Sequence, residues 1–384
     1  MTGTTACIVC GSDRSLSCLE AGGLPLLCNA LFPTRDEAVA CARGDLDLRF
    51  CRDCGHLWNR AYEPGRLEYE GDYETSLHFS PLFHDWVTAL AGDLVDRHEL
   101  SGRTVLELGC GRGEFLGLFA DRCRCVGYDT SFDAGRTELP ADVTVHARYF
   151  DPAVDRDRGD LVACRHVLEH VPRPADLVAT LCSATAPGGR VYLEVPNGLF
   201  TLERLGIWDL IYEHVSYFTP SSLGRLLADR GLAVDRLEAG FGGQFLQASF
   251  APDGVAGWRP EDPARLAPLA EGFADTHRRT VAHWSAMVRD RLDRGLDVAV
   301  WGAGSKGVTF LNSVDGGAGI RHVVDVNPRK QGLHVPGTGQ RIVAPAALGE
   351  AGVDAVLIMN PLYEQEIRAT LAGAGLRAEV AVVS

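Results

Sequence analysis

Four groups of residues in this chain have the types and spacing to do chemistry. The first is Glu107-Leu108-Gly109-Cys110-Gly111-Arg112-Gly113, where three alternate glycines follow an acid. Glycine has no Cβ, so such a turn can bend sharply and let a ligand approach the backbone. The spacing differs from the Gly-x-Gly-x-x-Gly of dinucleotide folds, and an acid beside the loop suits a cationic or hydroxyl-bearing ligand better than a phosphate. The second group pairs Cys7-Ile8-Val9-Cys10 with Cys51-Arg52-Asp53-Cys54. Two Cys-x-x-Cys knuckles predict a tetrahedral thiolate zinc site. Four sulfurs leave no open coordination position, so Cys7, Cys10, Cys51 and Cys54 predict a structural zinc, with Cys28, Cys41 and His56 as substitute ligands. The third group, Tyr212-Glu213-His214-Val215-Ser216-Tyr217, is denser in polar and aromatic groups than packing alone requires. The fourth is Gly302-Ala303-Gly304-Ser305-Lys306-Gly307, with true Gly-x-Gly-x-x-Gly spacing and an acid, Asp325, after the next strand. Ser305, Lys306 and the N–H groups of a helix start can hold an anion there; NAD, with Asp325 on its ribose, is the alternative.

These residues need elements to position them. Val105-Leu106 opens a buried strand, and the residues from Phe115 onward read as a helix packed on it. Val126-Gly127-Tyr128-Asp129 ends a second strand, where Asp129 can take both hydroxyls of a ribose. Val143-Thr144-Val145 predicts a third strand, after which Tyr149 and Phe150 can flank an adenine. Asp160–Cys164 predicts a fourth strand, and its end carries Arg165 and His166; ligands of open α/β sheets lie beyond such carboxyl ends. His170 reads as a structural residue. Pro187–Val195 is a turn and a fifth strand, and Thr219-Pro220 caps a helix. A long amphipathic helix is expected over 269–292, and strands over 298–301, 322–324 and 354–358 frame a second, smaller unit. The acidic, aromatic stretch Tyr69-Glu70-Gly71-Asp72-Tyr73-Glu74-Thr75-Ser76 is polar enough to line a cleft.

At 384 residues the chain holds two to three domains. The boundaries expected are a zinc-binding domain over 1–62, a bridging helical segment over 63–100, a central α/β domain over 101–253 and a second α/β domain over 254–384. A net charge of −14 argues against nucleic acid or an anionic membrane as the main partner. No apolar run is long enough to span a bilayer and no basic-then-apolar leader opens the chain, so a cytoplasmic protein is expected, monomeric or homodimeric. Twelve cysteines then point to metal or buried thiols rather than disulfides. The only lysines, Lys306 and Lys330, both lie beside glycine turns in the last third of the chain.

The first glycine loop resembles motif I of the class I methyltransferases, which bind S-adenosyl-L-methionine. The whole chain resembles the three-module sugar C-methyltransferases of deoxysugar pathways, through the four cysteines, Glu107 with Gly109, Gly111 and Gly113, Glu213-His214-x-Ser216-Tyr217, and the last glycine loop with Asn327-Pro328-Arg329-Lys330-Gln331-Gly332. The resemblance implies an α/β fold: a class I methyltransferase Rossmann-like sheet between an N-terminal zinc-knuckle domain and a smaller C-terminal Rossmann-like domain. It implies S-adenosyl-L-methionine as cofactor, held by Glu107, Gly109, Gly111, Gly113, Asp129, Tyr149, Phe150 and Arg165, and a structural Zn2+. It implies a nucleotide-sugar as small-molecule substrate, with Tyr73, Ser305, Lys306 and Lys330 on it. A sulfonium methyl is already activated, so the protein has to position it and generate a carbon nucleophile beside a carbonyl. Histidine suits that task at working pH. His214 is then the expected base, with Glu213 orienting it or holding substrate, Tyr212 or Tyr217 on the enolate oxygen, and His166 as rival base. Two departures from that family stand out. Its members tend to read Tyr-His-Glu-His where this chain has Tyr212-Glu213-His214, and they carry two close tyrosines where this chain has Tyr73 followed by Glu74. A non-sugar acceptor, methylated at carbon, oxygen or nitrogen, is therefore the alternative.

Overall fold

The computed structural model describes residues 6–67, 73–203, 206–254 and 262–383. The expected cleft residues Tyr69 to Asp72 lie outside the described residues, as does most of the boundary expected near 252–268. The strands are β1 (Ser15–Pro25), β2 (Arg43–Cys51), β3 (Leu57–Asn59), β4 (Thr104–Leu108), β5 (Arg124–Tyr128), β6 (Val143–His146), β7 (Gly159–Arg165), β8 (Thr185–Pro196), β9 (Ser216–Tyr217), β10 (Ala233–Gly240), β11 (Phe245–Ala251), β12 (Val298–Trp301), β13 (His322–Val324), β14 (Ile342–Val343), β15 (Ala355–Ile358) and β16 (Glu379–Val382).

They build three sheets. The central one runs β10-β11-β8-β7-β4-β5-β6. Strands β4 to β8 pair in parallel there, while β11 is antiparallel to both β8 and β10. A parallel sheet is covered on both faces, so its strands read as continuous apolar runs. Val105, Leu106, Leu161, Val162, Val191 and Leu193 are all fully buried accordingly. The order reverses between β4 and β7, and the crevice above such a switch is where ligands bind. The last sheet, β14-β13-β12-β15-β16, is all parallel. Helix Ser305–Ser313 packs tightly on it because Gly307 admits no side chain: a Cβ there would meet the Gly302 carbonyl oxygen at 1.9 Å.

The N-terminal sheet, β1-β2-β3-β9, is not made of one stretch of chain. Its fourth strand is Ser216–Tyr217, so the module expected over 1–62 is completed by the segment that carries Glu213 and His214. The Asn59 amide donates to the Val215 carbonyl at 2.9 Å and extends that junction. Elsewhere the elements are shorter or longer than their apolar patterns suggest. The helix expected from Phe115 is a single turn, Glu114–Gly117, followed by successive tight turns to Cys123. The long helix spans Ala267–Asp293. Among the described residues no helix is long and apolar enough to cross a membrane.

Candidate functional site

A cleft of about 1300 Å³ opens between the central and last sheets, with Asn29 and Tyr62 of the N-terminal part also on its wall. Its wall brings together Glu107, Gly109, Gly111, Asp129, Tyr149, Phe150, Arg165, His166 and His214 from the central part, Tyr73 from the bridge, and Ser305, Lys306 and Lys330 from the last glycine loop.

At the carboxyl end of β4 the chain turns through Gly109, Gly111 and Gly113 with φ of 77, 53 and 74°. The three glycines do different work. A Cβ at Gly109 would strike Val167 Cγ2 at 2.3 Å, and one at Gly113 would press on Leu139, so these two serve packing. A Cβ at Gly111 would meet nothing within 4 Å and would project into open space on a cleft-lining residue. Below the loop, Glu107 is buried and its Oε2 has no hydrogen-bond partner. Burial raises its carboxyl to about 8, against the pull of the Arg165 guanidinium. A buried acceptor without a donor, beneath an open glycine cradle, fits a ligand bearing a positive charge. Asp129 Oδ2 accepts the Gly111 amide at 2.7 Å and its Oδ1 accepts the Ser131 amide at 2.8 Å. Tyr149 is 79% exposed on the rim, whereas Phe150 is buried edge-on to Tyr128. These residues fit the cationic nucleoside S-adenosylmethionine.

Arg165 and His166 meet a buried acid that sequence reasoning missed. Glu194 on β8 stands in register with Arg165 on β7. Its Oε1 accepts from Arg165 Nη2 at 2.7 Å and lies 3.1 Å from His166 Nε2; its Oε2 accepts from the Tyr192 hydroxyl at 2.7 Å and Gln247 Nε2 at 3.1 Å. Burial opposes ionisation of Glu194, but Arg165 and His166 outweigh it and hold the carboxyl well below its usual range. The available signal was an acid in the apolar run Val191-Tyr192-Leu193-Glu194-Val195. His166 has a left-handed φ of 54°, rare for a residue with a side chain and common at functional sites. Burial pulls its pKa down, yet hydrogen bonds from Glu169 and Glu194 raise it to about 9. A raised pKa favours the imidazolium and weighs against His166 as rival base.

His214 differs. Its Nδ1 is buried and has no hydrogen-bond partner, and its ring stands edge-on to His170, centroids 4.9 Å apart. Burial, then the charges of His170 and His166, push its pKa well below the ordinary value, so it is neutral. The expected helpers of His214 are placed otherwise. Tyr217 is buried with its hydroxyl on the Ile211 amide and carbonyl, and the Tyr212 hydroxyl accepts the Glu63 amide at 3.0 Å. Neither lines the cleft, which corrects their assignment to an enolate oxygen. The physical reason is packing: Tyr217 is part of the two-residue strand, Tyr212 precedes it, and both are buried. Glu213 is also fully buried; Oε1 accepts the Cys28 amide at 2.8 Å and Oε2 the Tyr73 hydroxyl at 2.5 Å. It fixes the bridge rather than orienting His214. His170, read as structural, lines the cleft and sits with Nδ1 3.2 Å from the Glu213 carbonyl.

In the last glycine loop, Ser305 opens the nine-residue helix Ser305–Ser313. Lys306 Nζ is 2.7 Å from Asp209 Oδ1 and 3.3 Å from Gln244 Oε1. Lys330 is buried, donates to the Ala303 carbonyl at 3.2 Å and lies 3.7 Å from Asp325 Oδ2. Asp325 itself accepts the amides of Ala303 and Asn327, both at 2.9 Å. A buried ammonium thus fills the space beside the acid that a dinucleotide ribose would use.

Away from the cleft, Cys7 and Cys54 sulfurs are 3.6 Å apart, as are those of Cys10 and Cys51. All four sulfurs lie within 4.8 Å of one another. Tetrahedral zinc with Zn–S of about 2.3 Å sets sulfurs roughly 3.8 Å apart, so the set fits. Gly11 and Gly55, at φ 74 and 73°, close the two knuckles with matching amide bonds to Cys7 and Cys51 carbonyls. Cys28, Cys41 and His56 fall outside the cluster; His56 Nδ1 lies 3.4 Å from Ser222 Oγ instead.

Residues 82–237 match a methyltransferase domain family, and residues 263–379 match a C-methyltransferase C-terminal domain family. The C-methyltransferase NovU of Streptomyces niveus is 29% identical over 94% of this chain and 90% of its own length. The ubiquinone biosynthesis O-methyltransferase of Aeromonas salmonicida is 26% identical over 44% of this chain and 76% of its own length. Among solved structures, the magnesium protoporphyrin IX methyltransferase of Synechocystis with bound SAH is 19% identical, covering 49% of this chain and 90% of that one at a TM-score of 0.34.

Proposed function

This chain is an S-adenosylmethionine-dependent methyltransferase resembling the multi-module C-methyltransferases, and we propose that it methylates a carbon beside the carbonyl of a keto-sugar nucleotide. The observation that carries the proposal is a neutral imidazole, His214, lining the same cleft as the Glu107–Gly113 loop. Glu107, Gly111 and Asp129 hold the cofactor, and Arg165 braces the floor through Glu194. Bound there, S-adenosylmethionine supplies a methyl group on a positively charged sulfur, already activated for attack. His214 takes a proton from the carbon next to the acceptor carbonyl; the C–H electron pair becomes the enolate. The charged His166, held by Glu169 and Glu194, stabilises negative charge in the cleft without competing for that proton. Tyr73, fixed on Glu213, borders the acceptor side. Ser305, Lys306 and the helix start beneath them hold the diphosphate, which displaces Asp209 from Lys306.

That last pairing favours a second reading. Lys306 is already neutralised by Asp209 at 2.7 Å, so an acceptor without a diphosphate leaves the pair intact. The two readings separate in one experiment. Thermal shifts with dTDP and UDP, alone and with S-adenosylhomocysteine, should show stabilisation by a nucleotide diphosphate under the first reading. A 13C-labelled methyl donor followed by NMR should then give a methyl bonded to carbon. No nucleotide shift supports the non-sugar acceptor, and an oxygen- or nitrogen-bound methyl overturns the carbon assignment.

A further inference from the structure

Gln244 and Asn360 meet across the cleft, one from the turn between β10 and β11 and the other from the end of β15 in the last domain. Their side chains form a reciprocal pair. Gln244 Nε2 donates to Asn360 Oδ1 at 2.9 Å, and Asn360 Nδ2 donates to Gln244 Oε1 at 3.1 Å. Groups outside the pair fix which way each amide points. The Lys306 ammonium has donors only, so the atom 3.3 Å from its Nζ is the Gln244 oxygen. The Leu362 amide donates to Asn360 Oδ1 at 3.1 Å and fixes that oxygen as well. A primary amide has two N–H groups. Each of these uses one in the pair, and among the described residues the second has no protein acceptor. The turn that presents Gln244 is strained: Phe241, Gly242 and Gly243 have φ of 44, 63 and 89°. A bulky residue in that region persists only where its surroundings hold it. A Cβ at Gly242 would meet Leu362 Cδ2 at 2.6 Å, so the turn is pressed against the segment that follows Asn360. Beside the pair, Asp209 Oδ1 stands 2.7 Å from Lys306 Nζ, and a carboxylate of the chain thus already occupies an anion position on that ammonium.

We propose that Gln244 and Asn360 are acceptor-binding residues whose remaining N–H groups join Lys306 in an anion site spanning the two domains, and that Asp209 is the internal carboxylate an acceptor has to displace. The inference rests on the reading of Lys306 as a ligand of the acceptor diphosphate and extends that reading to residues it does not name. The two amides keep Lys306 in place and offer neutral donors, which do not compete with an incoming anion. Asp209 does compete. Displacing it exchanges one ion pair for another, so a ligand gains only in so far as it carries more charge than a carboxylate. Specificity is a difference of affinities, and a repulsive group of this kind sets it as surely as an attractive one. The site therefore selects a diphosphate over a neutral or singly charged group.

The test titrates the full chain, saturated with S-adenosylhomocysteine, with inorganic pyrophosphate and with orthophosphate by calorimetry. Pyrophosphate should bind at least ~10-fold more tightly than orthophosphate. Asp209→Asn keeps the shape and removes the charge, so it should bind both anions more tightly and narrow that ratio. Gln244→Glu still accepts from Lys306 but loses its donor, and Asn360→Ser keeps an oxygen for the Leu362 amide and adds no charge. Each, checked for an unchanged thermal transition and S-adenosylhomocysteine affinity, should weaken pyrophosphate at least ~10-fold. Lys306→Ala reports on the underlying reading. If it leaves pyrophosphate binding intact, or if neither the unaltered protein nor Asp209→Asn binds pyrophosphate, the diphosphate reading falls and this site with it. If Lys306→Ala abolishes binding while Gln244→Glu and Asn360→Ser both bind as the unaltered protein does, or if Asp209→Asn brings no gain, the diphosphate reading stands and this site is overturned.

Discussion

Glu107 shows how one side chain ties affinity to pH. Its carboxyl is protonated below about 8 in the free protein because burial disfavours the charge. A cationic ligand favours the ionised form, so binding expels a proton. Affinity for S-adenosylmethionine should therefore rise with pH, by up to about tenfold per unit below pH 8, and level off above it. Glu107→Gln should flatten that profile and weaken binding at high pH; calorimetry across pH 6 to 9 in two buffers of different ionisation enthalpy reads both the slope and the proton release. An unchanged slope in the variant contradicts the role. Residue types were legible at this scale and partners were not. Glycine spacing and the acid before it marked the loop, and His214 was marked by its neighbours. The pairing of Glu194 with Arg165 and His166 depends on parallel register between two strands, which single-strand patterns do not carry. For the same reason His166, at the end of β7, read as a base although two carboxylates beside it raise its pKa.

Among the elements, the two-residue strand β9 connects the cysteine cluster to the site. Cys51 ends β2, Cys54 precedes β3, and β3 pairs with β9, which begins two residues after His214. A zinc that fastens the knuckles would thereby hold the histidine loop in place. Chelation, or Cys54→Ser, should lower the melting temperature by more than about 10 °C, as expected when several kcal/mol of metal-linked folding energy are lost. It should also abolish turnover while the isolated cofactor loop chemistry is untouched; zinc content by elemental analysis, melting and activity measured on one sample check this. The strands of the central sheet were legible because burial on both faces writes them as apolar, β-branched runs. Strand β9 was not, since two residues carry no period and the partner strand lies far away in sequence. The helix after Gly113 was overread: Phe115, Leu116 and Phe119 do face the core, but from a single turn and the tight turns after it.

On the scale of the whole molecule, the cofactor loop and the last domain are joined by charge. Arg329 Nη1 bonds Glu114 Oε1 at 2.7 Å, one residue past the glycine turn. Both Arg329 and Arg112 reach the buried Glu74, at 3.7 and 3.6 Å, and Asn327 Nδ2 donates to the same carboxylate at 3.2 Å. The bridge, the loop and the Asn327–Gly332 segment thus share one network at the mouth of the cleft. Arg329→Ala should weaken S-adenosylhomocysteine binding several-fold although Arg329 belongs to the other domain, and the loss should shrink at high salt, because the ion pairs are partly exposed. Equal affinity in titrations at low and high salt contradicts this link. That the chain has three modules was legible from the cysteines and two glycine loops. That they converge on one cleft was not, because the network rests on charged residues whose partners are set by docking.

The most direct test of the account replaces His214 by Asn, which keeps size and polarity but cannot accept the proton at working pH. S-adenosylhomocysteine affinity, measured by calorimetry, should stay within about twofold of the original, while turnover falls by 10²-fold or more, the range expected for loss of a positioned base. Turnover that survives the substitution, with the cofactor bound as before, would show that the imidazole at 214 does not take the proton.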